Sequence, residues 1–261
     1  MRKRLVVAIS GASGAIYGIR LLQVLGDDPQ VETLKVCTYE NPPFFYQKDG
    51  QAAGFEHDIL KRFAEHLGLE LEISFRQRPQ GTRRGASTSM EGCDVLANTL
   101  TRTPEREQLN DFSEPYFLVI VTLVEPLGKH YGNLQELSGK RVSTIEGTVP
   151  YTILATNPEI ELVFADSREA LFELVVEGKA DATAWDSWVI AMNLEEYPQL
   201  RIGAALSETQ YLAFCLPKGS PLTARLDDHI RQLQESGVFK SLLGEYFGEE
   251  NAELIAGALI K

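Results

Sequence analysis

Cysteine, histidine, tryptophan and methionine are all scarce here: three, four, two and three among 261 residues. Cys37, Cys93 and Cys215 are odd in number and far apart, so they give no disulfide framework and no zinc spacing. Each sits in an apolar, strand-like run, and three buried free thiols are expected. His57, His66, His130 and His229 fall on helices or loops without a Ser-His-Asp spacing or a metal cluster, so solvated surface is expected of them. Positive charge is also in deficit. Twenty-five Lys and Arg face 37 Asp and Glu, a formal charge of −12, which argues against nucleic acid and anionic membrane surfaces as partners. No segment approaches a charge-free membrane span. Met1-Arg2-Lys3-Arg4 before Leu5 to Ile9 has the look of a signal peptide. The apolar run is short, however, and Ser10-Gly11-Ala12-Ser13-Gly14 and then Arg20 interrupt it, so no convincing export signal is read there.

What is present is an alternation of strands and helices. With 44% apolar residues the chain can bury one large core or two modest ones. Leu34 to Thr38 reads as a strand and Tyr39 to Phe44 as a loop. The next helix, Glu56 to Leu67, carries Ile59, Leu60, Phe63, Ala64 and Leu67 on one face, with Gly68 as its stop. Strands follow at Leu69 to Phe75 and Asp94 to Ala97, then an apolar run at Phe117 to Val124. Further strands are read at Val142 to Ile145, Leu162 to Phe164, Ala180 to Trp185 and Tyr211 to Leu216. Helices are read at Arg168 to Val176, from Leu222 to Gly237, and at Phe239 to Phe247. Residues 76–90, rich in Arg, Gly and Ser, have no apolar period and read as a loop. The alternation predicts an α/β architecture.

The most informative stretch is Asn98-Thr99-Leu100-Thr101-Arg102-Thr103-Pro104-Glu105-Arg106. Thr103 suits a helix N-cap, Pro104 the first helical position and Glu105 the positive first turn. Thr99 and Thr101 share a strand parity, which would send both hydroxyls the same way. Arg106 follows after the turn, and an arginine fork matches a carboxylate with two parallel charge-assisted bonds. Asp186 follows an apolar strand, a poor place for a carboxylate without a partner. A helix N-cap role from Ser187 onward is its other reading. Gly147-Thr148-Val149-Pro150 lies where a strand hands over to a helix and amides stand free.

Two families are resembled. Arg4 to Leu25, with Gly11-Ala-Ser-Gly-Ala-Ile-Tyr-Gly18, resembles the start of the flavin prenyltransferases. Gly11, Ser13 and Gly14 would there contact the flavin phosphate. The likeness covers about thirty residues, so residues 1–30 are expected to hold no flavin site.

Residues 34 to 248 resemble the amino-acid-binding members of the extracellular solute-binding proteins. The motifs are Asn41-Pro-Pro-Phe44, Gly54-Phe-Glu-His-Asp58, Asp94 to Arg106, Phe112-Ser-Glu-Pro-Tyr116, Leu137 to Thr148, Gly178 to Asp186, and the tail Asp227 to Gly248. The resemblance implies a type II periplasmic-binding fold of two α/β lobes joined by two crossing strands. Lobe one would be 31–118 with 209–250 and lobe two 119–208, preceded by the 1–30 fragment and followed by a 251–261 tail.

The same resemblance gives Arg106, Thr101 and the Gly147-Thr148 amides to a ligand α-carboxylate, and Asp186 with Thr99 to its ammonium; Asn98 stands beside them. Tyr39, Phe44 and Trp185 are candidates for an aromatic wall, or for core packing. The family's early acidic position falls on Thr38, with Glu40 and Asn41 as neighbours, so recognition of a basic side chain would rest on Glu40. Residues 76–90 also depart from the family, which has a helix there.

A monomer that captures a small amino acid or similar carboxylate is expected, serving a membrane permease or a sensor in the periplasm or outside the cell. No catalytic residue, metal or cofactor is assigned. The alternatives are an enzyme of the cyclohexadienyl or arogenate dehydratase kind, which the same fold supports, or a remnant flavin prenyltransferase. Related modules also occur beside cell-wall lyases.

Overall fold

The computed structural model describes residues 33–76 and 89–259. The glycine turn with Gly11, Ser13 and Gly14, the rest of residues 1–30, and most of the 76–90 stretch lie outside the described residues.

Two sheets organise the chain. The first runs β4-β1-β5-β13-β6, with β7 paired to β13. Its members are β1 (Thr33–Thr38), β4 (Glu70–Phe75), β5 (Val95–Thr101), β6 (Asn110–Phe112), β7 (Phe117–Val119) and β13 (Gln210–Pro217). The second runs β10-β9-β11-β8-β12. It holds β8 (Val121–Pro126), β9 (Arg141–Thr144), β10 (Glu161–Phe164), β11 (Ala182–Asp186) and β12 (Leu200–Ala205). The chain leaves the first sheet at Ile120, between β7 and β8, and returns between β12 and β13. The molecule is thus two-lobed, each lobe a sheet flanked by helices. A small hairpin of β2 (Tyr46–Lys48) and β3 (Gln51–Ala53) precedes the first helix.

Hydrophobic period decides where the helices pack. Helix α1 (Phe55–Leu67) buries Phe55, Ile59, Leu60, Phe63 and Ala64, and Gly68 ends it in the left-handed region. These side chains join Val36, Val95, Phe117 and Phe214 in the core of lobe one. Each fully buried side chain of this size contributes roughly 1.5–3 kcal/mol. Helix α6 (Leu222–Glu235) adds Leu226, Ile230 and Leu233, and α7 (Val238–Phe247) adds Phe239, Leu242 and Leu243. Residues 249–259 form a further helix, α8 (Glu249–Leu259), with Ala252, Ile255 and Ala256 buried in that same core. The stretch set apart by sequence as a tail therefore packs with lobe one.

Lobe two buries Leu171, Phe172 and Val175 from α4 (Arg168–Val176), and Val189 and Ile190 from α5 (Ser187–Asn193). Short helices α2 (Pro104–Leu109) and α3 (Val149–Leu154) follow β5 and β9. Among the described residues no helix is long and apolar enough to cross a membrane.

Two expectations from residue type are corrected. Cys37 and Cys93 form a disulfide, their Cα atoms 5.7 Å apart, and only Cys215 is a buried free thiol. Strand order explains the pairing: β1 lies beside β5, with Cys37 opposite Leu96, so the residues leading into β5 come within reach of β1. His229 is buried on the inner face of α6 rather than solvated. Its ring lies 5.4 Å from Phe63 and 5.7 Å from His66, and burial pushes its pKa down to about 4.

Candidate functional site

Strands β1, β4 and β5 run parallel, as do β9, β10 and β11. In open α/β sheets ligands collect at the carboxyl ends of such strands. Those ends carry Tyr39 to Asn41 after β1, Thr99 to Arg106 at β5, and Gly147 and Thr148 after β9. They also carry Arg168 after β10 and Asp186 at the end of β11. The two edges meet, because Arg168 Nη1 of lobe two donates to Asn41 Oδ1 of lobe one at 2.5 Å.

Arg106 is placed as its local sequence dictates. Thr103 caps α2, accepting the Arg106 N–H at 3.4 Å, and Pro104 opens the helix. The half-buried guanidinium donates through Nη1 to the Thr101 carbonyl at 2.6 Å, which leaves further donors of the fork for a ligand. Burial lowers its pKa, and the nearby Cys215 and Asp186 offset that.

Asp186 stands at the N-cap position of α5 but makes no capping hydrogen bond. Its Oδ1 is buried and has no hydrogen-bond partner. Burial pushes the carboxyl up to about 6, against the pull of Arg168 and Arg106. A buried, unspent carboxylate oxygen costs free energy, and a ligand cation would supply its partner.

The shared parity of Thr99 and Thr101 does not hold. Thr99 has φ 45°, and the β5–β13 register slips between Ala213 and Cys215. This bulge turns Thr99 out of the ladder. Its hydroxyl accepts from Asn41 Nδ2 at 3.1 Å and its N–H donates to Glu56 Oε1 at 2.9 Å. Thr101 is buried, and Asn98 is half-buried beside Thr99. Gly147, at φ 74°, turns the chain into α3. Thr148 uses its N–H and its hydroxyl on the Ile145 carbonyl, at 3.3 and 2.6 Å, and also accepts from Tyr151 N. The Thr148 amide is therefore not free.

The aromatic candidates divide. Phe44 is fully enclosed, its ring 5.1 Å from Phe117 and from Phe247 and 4.7 Å from Trp188. Trp185 lies in the core of lobe two. Both are core residues. Tyr39 is half-buried beside the Cys37 cluster. Exposed Glu40 accepts the Gln47 N–H at 3.1 Å and lines a cavity of about 300 Å³ with Asn41, Arg168 and Trp188.

Four residues linked to these strand ends carried no assignment from sequence: Asn41, Glu56, Arg168 and Trp188. Glu56 is fully buried, and burial pushes its pKa up to about 7 despite bonds from Tyr116 and Thr99 and the charge of Arg168. Arg168 lies over the Trp188 ring, 5.3 Å from its centroid. Two signals were available. Arg168 follows the N-cap Ser167, where the helix dipole disfavours a cation, so it is held there by something outside the helix. Gly54 is another such mark: at φ 125° a Cβ would sit 2.3 Å from the Phe44 carbonyl oxygen. Its bareness lets Phe55 N and Glu56 N bond Pro43 O and Phe44 O at 3.0 and 2.9 Å, which fixes the Asn41–Phe44 loop. Among the described residues no cluster of His, Cys, Asp and Glu forms a metal site.

Known proteins agree with this architecture. The chain is 30% identical to the membrane-bound lytic murein transglycosylase F of Desulfosudis oleivorans, over 87% of this chain and 51% of that protein. It is 27% identical to the protein of that name from Ectopseudomonas mendocina, over 94% of this chain and 54% of that one. It thus spans about half the length of the curated relatives it matches. A crystal structure of a mutant ArgBP from T. maritima superimposes with a TM-score of 0.72 at 25% identity, covering 88% of this chain and 99% of that one. The GluR0 ligand-binding core from Nostoc punctiforme, in complex with (L)-glutamate, shares the fold at TM-score 0.70 and 23% identity, over 82% and 99%. Both are type II periplasmic-binding structures. The flavin prenyltransferase likeness has no counterpart among these proteins. The family model described as bacterial extracellular solute-binding proteins, family 3, matches residues 34–249. With well over half of its length matched, this chain belongs to family 3 of the bacterial extracellular solute-binding proteins, whose members bind amino acids.

Proposed function

We propose that the chain captures a small α-amino acid, or a similar carboxylate bearing a cation, between its two lobes. The observation that carries this reading is the pair Arg106 and Asp186, contributed by different lobes and electrostatically coupled. A zwitterion asks for separated opposite charges. Arg106 receives the carboxylate with Thr101 and Gly147 nearby, and Asp186 receives the ammonium with Thr99. Tyr39, Glu40 and Asn98 border the side-chain end. Each lobe alone satisfies half of the ligand, so binding favours the closed form. Two or three charged hydrogen bonds at roughly 1.5–3 kcal/mol each, above the cost of association, reach the micromolar range.

Delivery to an ABC-type permease or a sensor is the corresponding role. The Cys37–Cys93 disulfide supports an oxidising, extracytoplasmic setting. A thermal-shift screen of the twenty amino acids, with prephenate and arogenate included, tests the reading. A shift for at least one amino acid that Arg106→Ala abolishes supports it; no shift for any of them overturns it. A second reading follows the relatives: the module acts at the cell wall, beside a murein-cleaving partner. Co-sedimentation of the purified chain with murein sacculi tests that role.

A further inference from the structure

The hydrogen bonds around Asn41 form a chain that crosses the cleft. Arg168 Nη1 donates to Asn41 Oδ1 at 2.5 Å, and Asn41 Nδ2 donates to Thr99 Oγ1 at 3.1 Å. Thr99 N–H donates to Glu56 Oε1 at 2.9 Å, and the same oxygen accepts from Tyr116. The chain therefore links the first turn of α4 in lobe two to the buried centre of lobe one. Asn41 is 1% exposed, and its amide is oriented from both ends, with oxygen toward the guanidinium and nitrogen toward the hydroxyl. Trp188 packs under Arg168 at 5.3 Å and edge-on against Phe44 of lobe one at 4.7 Å. Of these contacts the Arg168–Asn41 bond and the Trp188–Phe44 packing join the two lobes, and both form only while the lobes are together.

We propose that Arg168 is an interlobe latch and a positioning residue, which holds the lobes closed and, through Asn41, anchors the hydroxyl of Thr99, whose backbone N–H Glu56 holds from the other side. Thr99 is the residue that needs such support. A threonine at φ 45° is strained and persists only where its surroundings over-determine it. Opening removes the Arg168 contact and frees the Asn41 amide to turn, so Thr99 loses its acceptor geometry as the lobes part. Arg168 and Asn41 both border the cavity of about 300 Å³, which gives the released guanidinium room without disturbing either core. The latch rests on the two-lobed cleft and not on the nature of the ligand.

The test is made without ligand, so its outcome is separate from that of the binding reading. X-ray scattering of unliganded Arg168→Ala is expected to show a larger radius of gyration than the parent. Amide exchange at Thr99 is expected to rise at least tenfold, while strand amides at Val36 and Leu96 stay protected. Arg168→Lys keeps a donor on a stem of similar reach and is expected to restore most of both. Asn41→Leu removes both bonds and is expected to match Arg168→Ala, with the double variant no worse than either single one. A radius unchanged in both Arg168→Ala and Asn41→Leu, or unaltered Thr99 exchange in both, overturns the proposal.

Discussion

Glu56 accepts the Thr99 N–H at 2.9 Å, so an acid with no exposed surface supports a residue at φ 45° on the edge of the cleft. Its other oxygen, Oε2, is buried and has no partner. The bonds from Thr99 and Tyr116 favour the carboxylate and the burial favours the acid. Burial prevails, and the pKa stands near 7.

The first prediction follows from that balance. A pKa raised from 4.5 to about 7 means that the fold prefers protonated Glu56. The resulting stability is full below the unfolded value and is lost as pH rises through the folded one. Glu56→Gln keeps an acceptor for Thr99 and Tyr116 and removes the charge. At pH 8 the variant is expected to be more stable than the parent by about 3 kcal/mol, with the difference fading toward pH 4. Urea unfolding across pH 4–8 measures it, and parallel stability curves would refute it.

Arg106→Ala bears on the proposed carboxylate clamp. Removing the guanidinium leaves a ligand carboxylate without its charged partner, a loss of at least ~2 kcal/mol or about thirtyfold in affinity. Because the side chain is half-buried and its hydrogen bond among the described residues is to the Thr101 carbonyl, the fold itself should change little. Calorimetry with the best amino acid of the screen reads the loss. Unchanged affinity would remove Arg106 from the site.

Binding should also depend on pH through Asp186. Its pKa near 6 means that below this value the carboxyl must lose a proton to receive an ammonium. Affinity is expected to fall about tenfold per pH unit below 6 and to level off above it. Calorimetry at pH 5 and 8, in buffers of different ionisation enthalpy, should detect the released proton. Asp186→Asn is expected to bind weakly with a flat profile, and a parent profile equally flat would contradict the assignment.

The fold was largely legible because its elements are periodic. Ile59, Leu60 and Phe63 share one face of α1, Gly68 ends it in the left-handed conformation, and Leu226, Ile230 and Leu233 repeat the pattern in α6. Thr103, Pro104 and Arg106 were legible for the same local reason, a cap and a turn written in consecutive residues. What failed were properties set by strand order and register. The threonine parity assumed an unbroken β5, and the bulge opposite β13 removed it. The thiol reading treated residues 56 apart as independent, whereas parallel pairing of β1 with β5 brings them together. Phe44 and Trp185 gave equal signals for wall and core, and only packing decided between them. Arg168 and Asn41 lie 127 positions apart, and no local pattern links them.

The Cys37–Cys93 disulfide carries the last prediction. It encloses the whole run from the end of β1 through α1 and β4, a separation of 56 residues. Closing such a loop in the unfolded chain corresponds to about 4 kcal/mol on the chain-entropy model, with ~2–4 kcal/mol typically realised. The bridge also fixes the return of the chain into β5. There Arg76 reaches the Ser89 and Glu91 carbonyls at 2.7 and 2.6 Å and Cys93 Sγ at 2.8 Å. Reduction, or Cys37→Ala with Cys93→Ala, is therefore expected to lower unfolding free energy by that amount. Hydrogen exchange should place the loss in β1, β4 and β5 and leave β9 and β11 of the other sheet unchanged. Cys215 should not take part in exchange, since burial holds its thiol up at about 12 and the attacking species is the thiolate. Peptide mapping after partial reduction and reoxidation is expected to recover Cys37 paired with Cys93 and Cys215 free. Equal urea midpoints for oxidised and reduced protein would show that the sheet, and not the bridge, sets the geometry of this edge of the cleft.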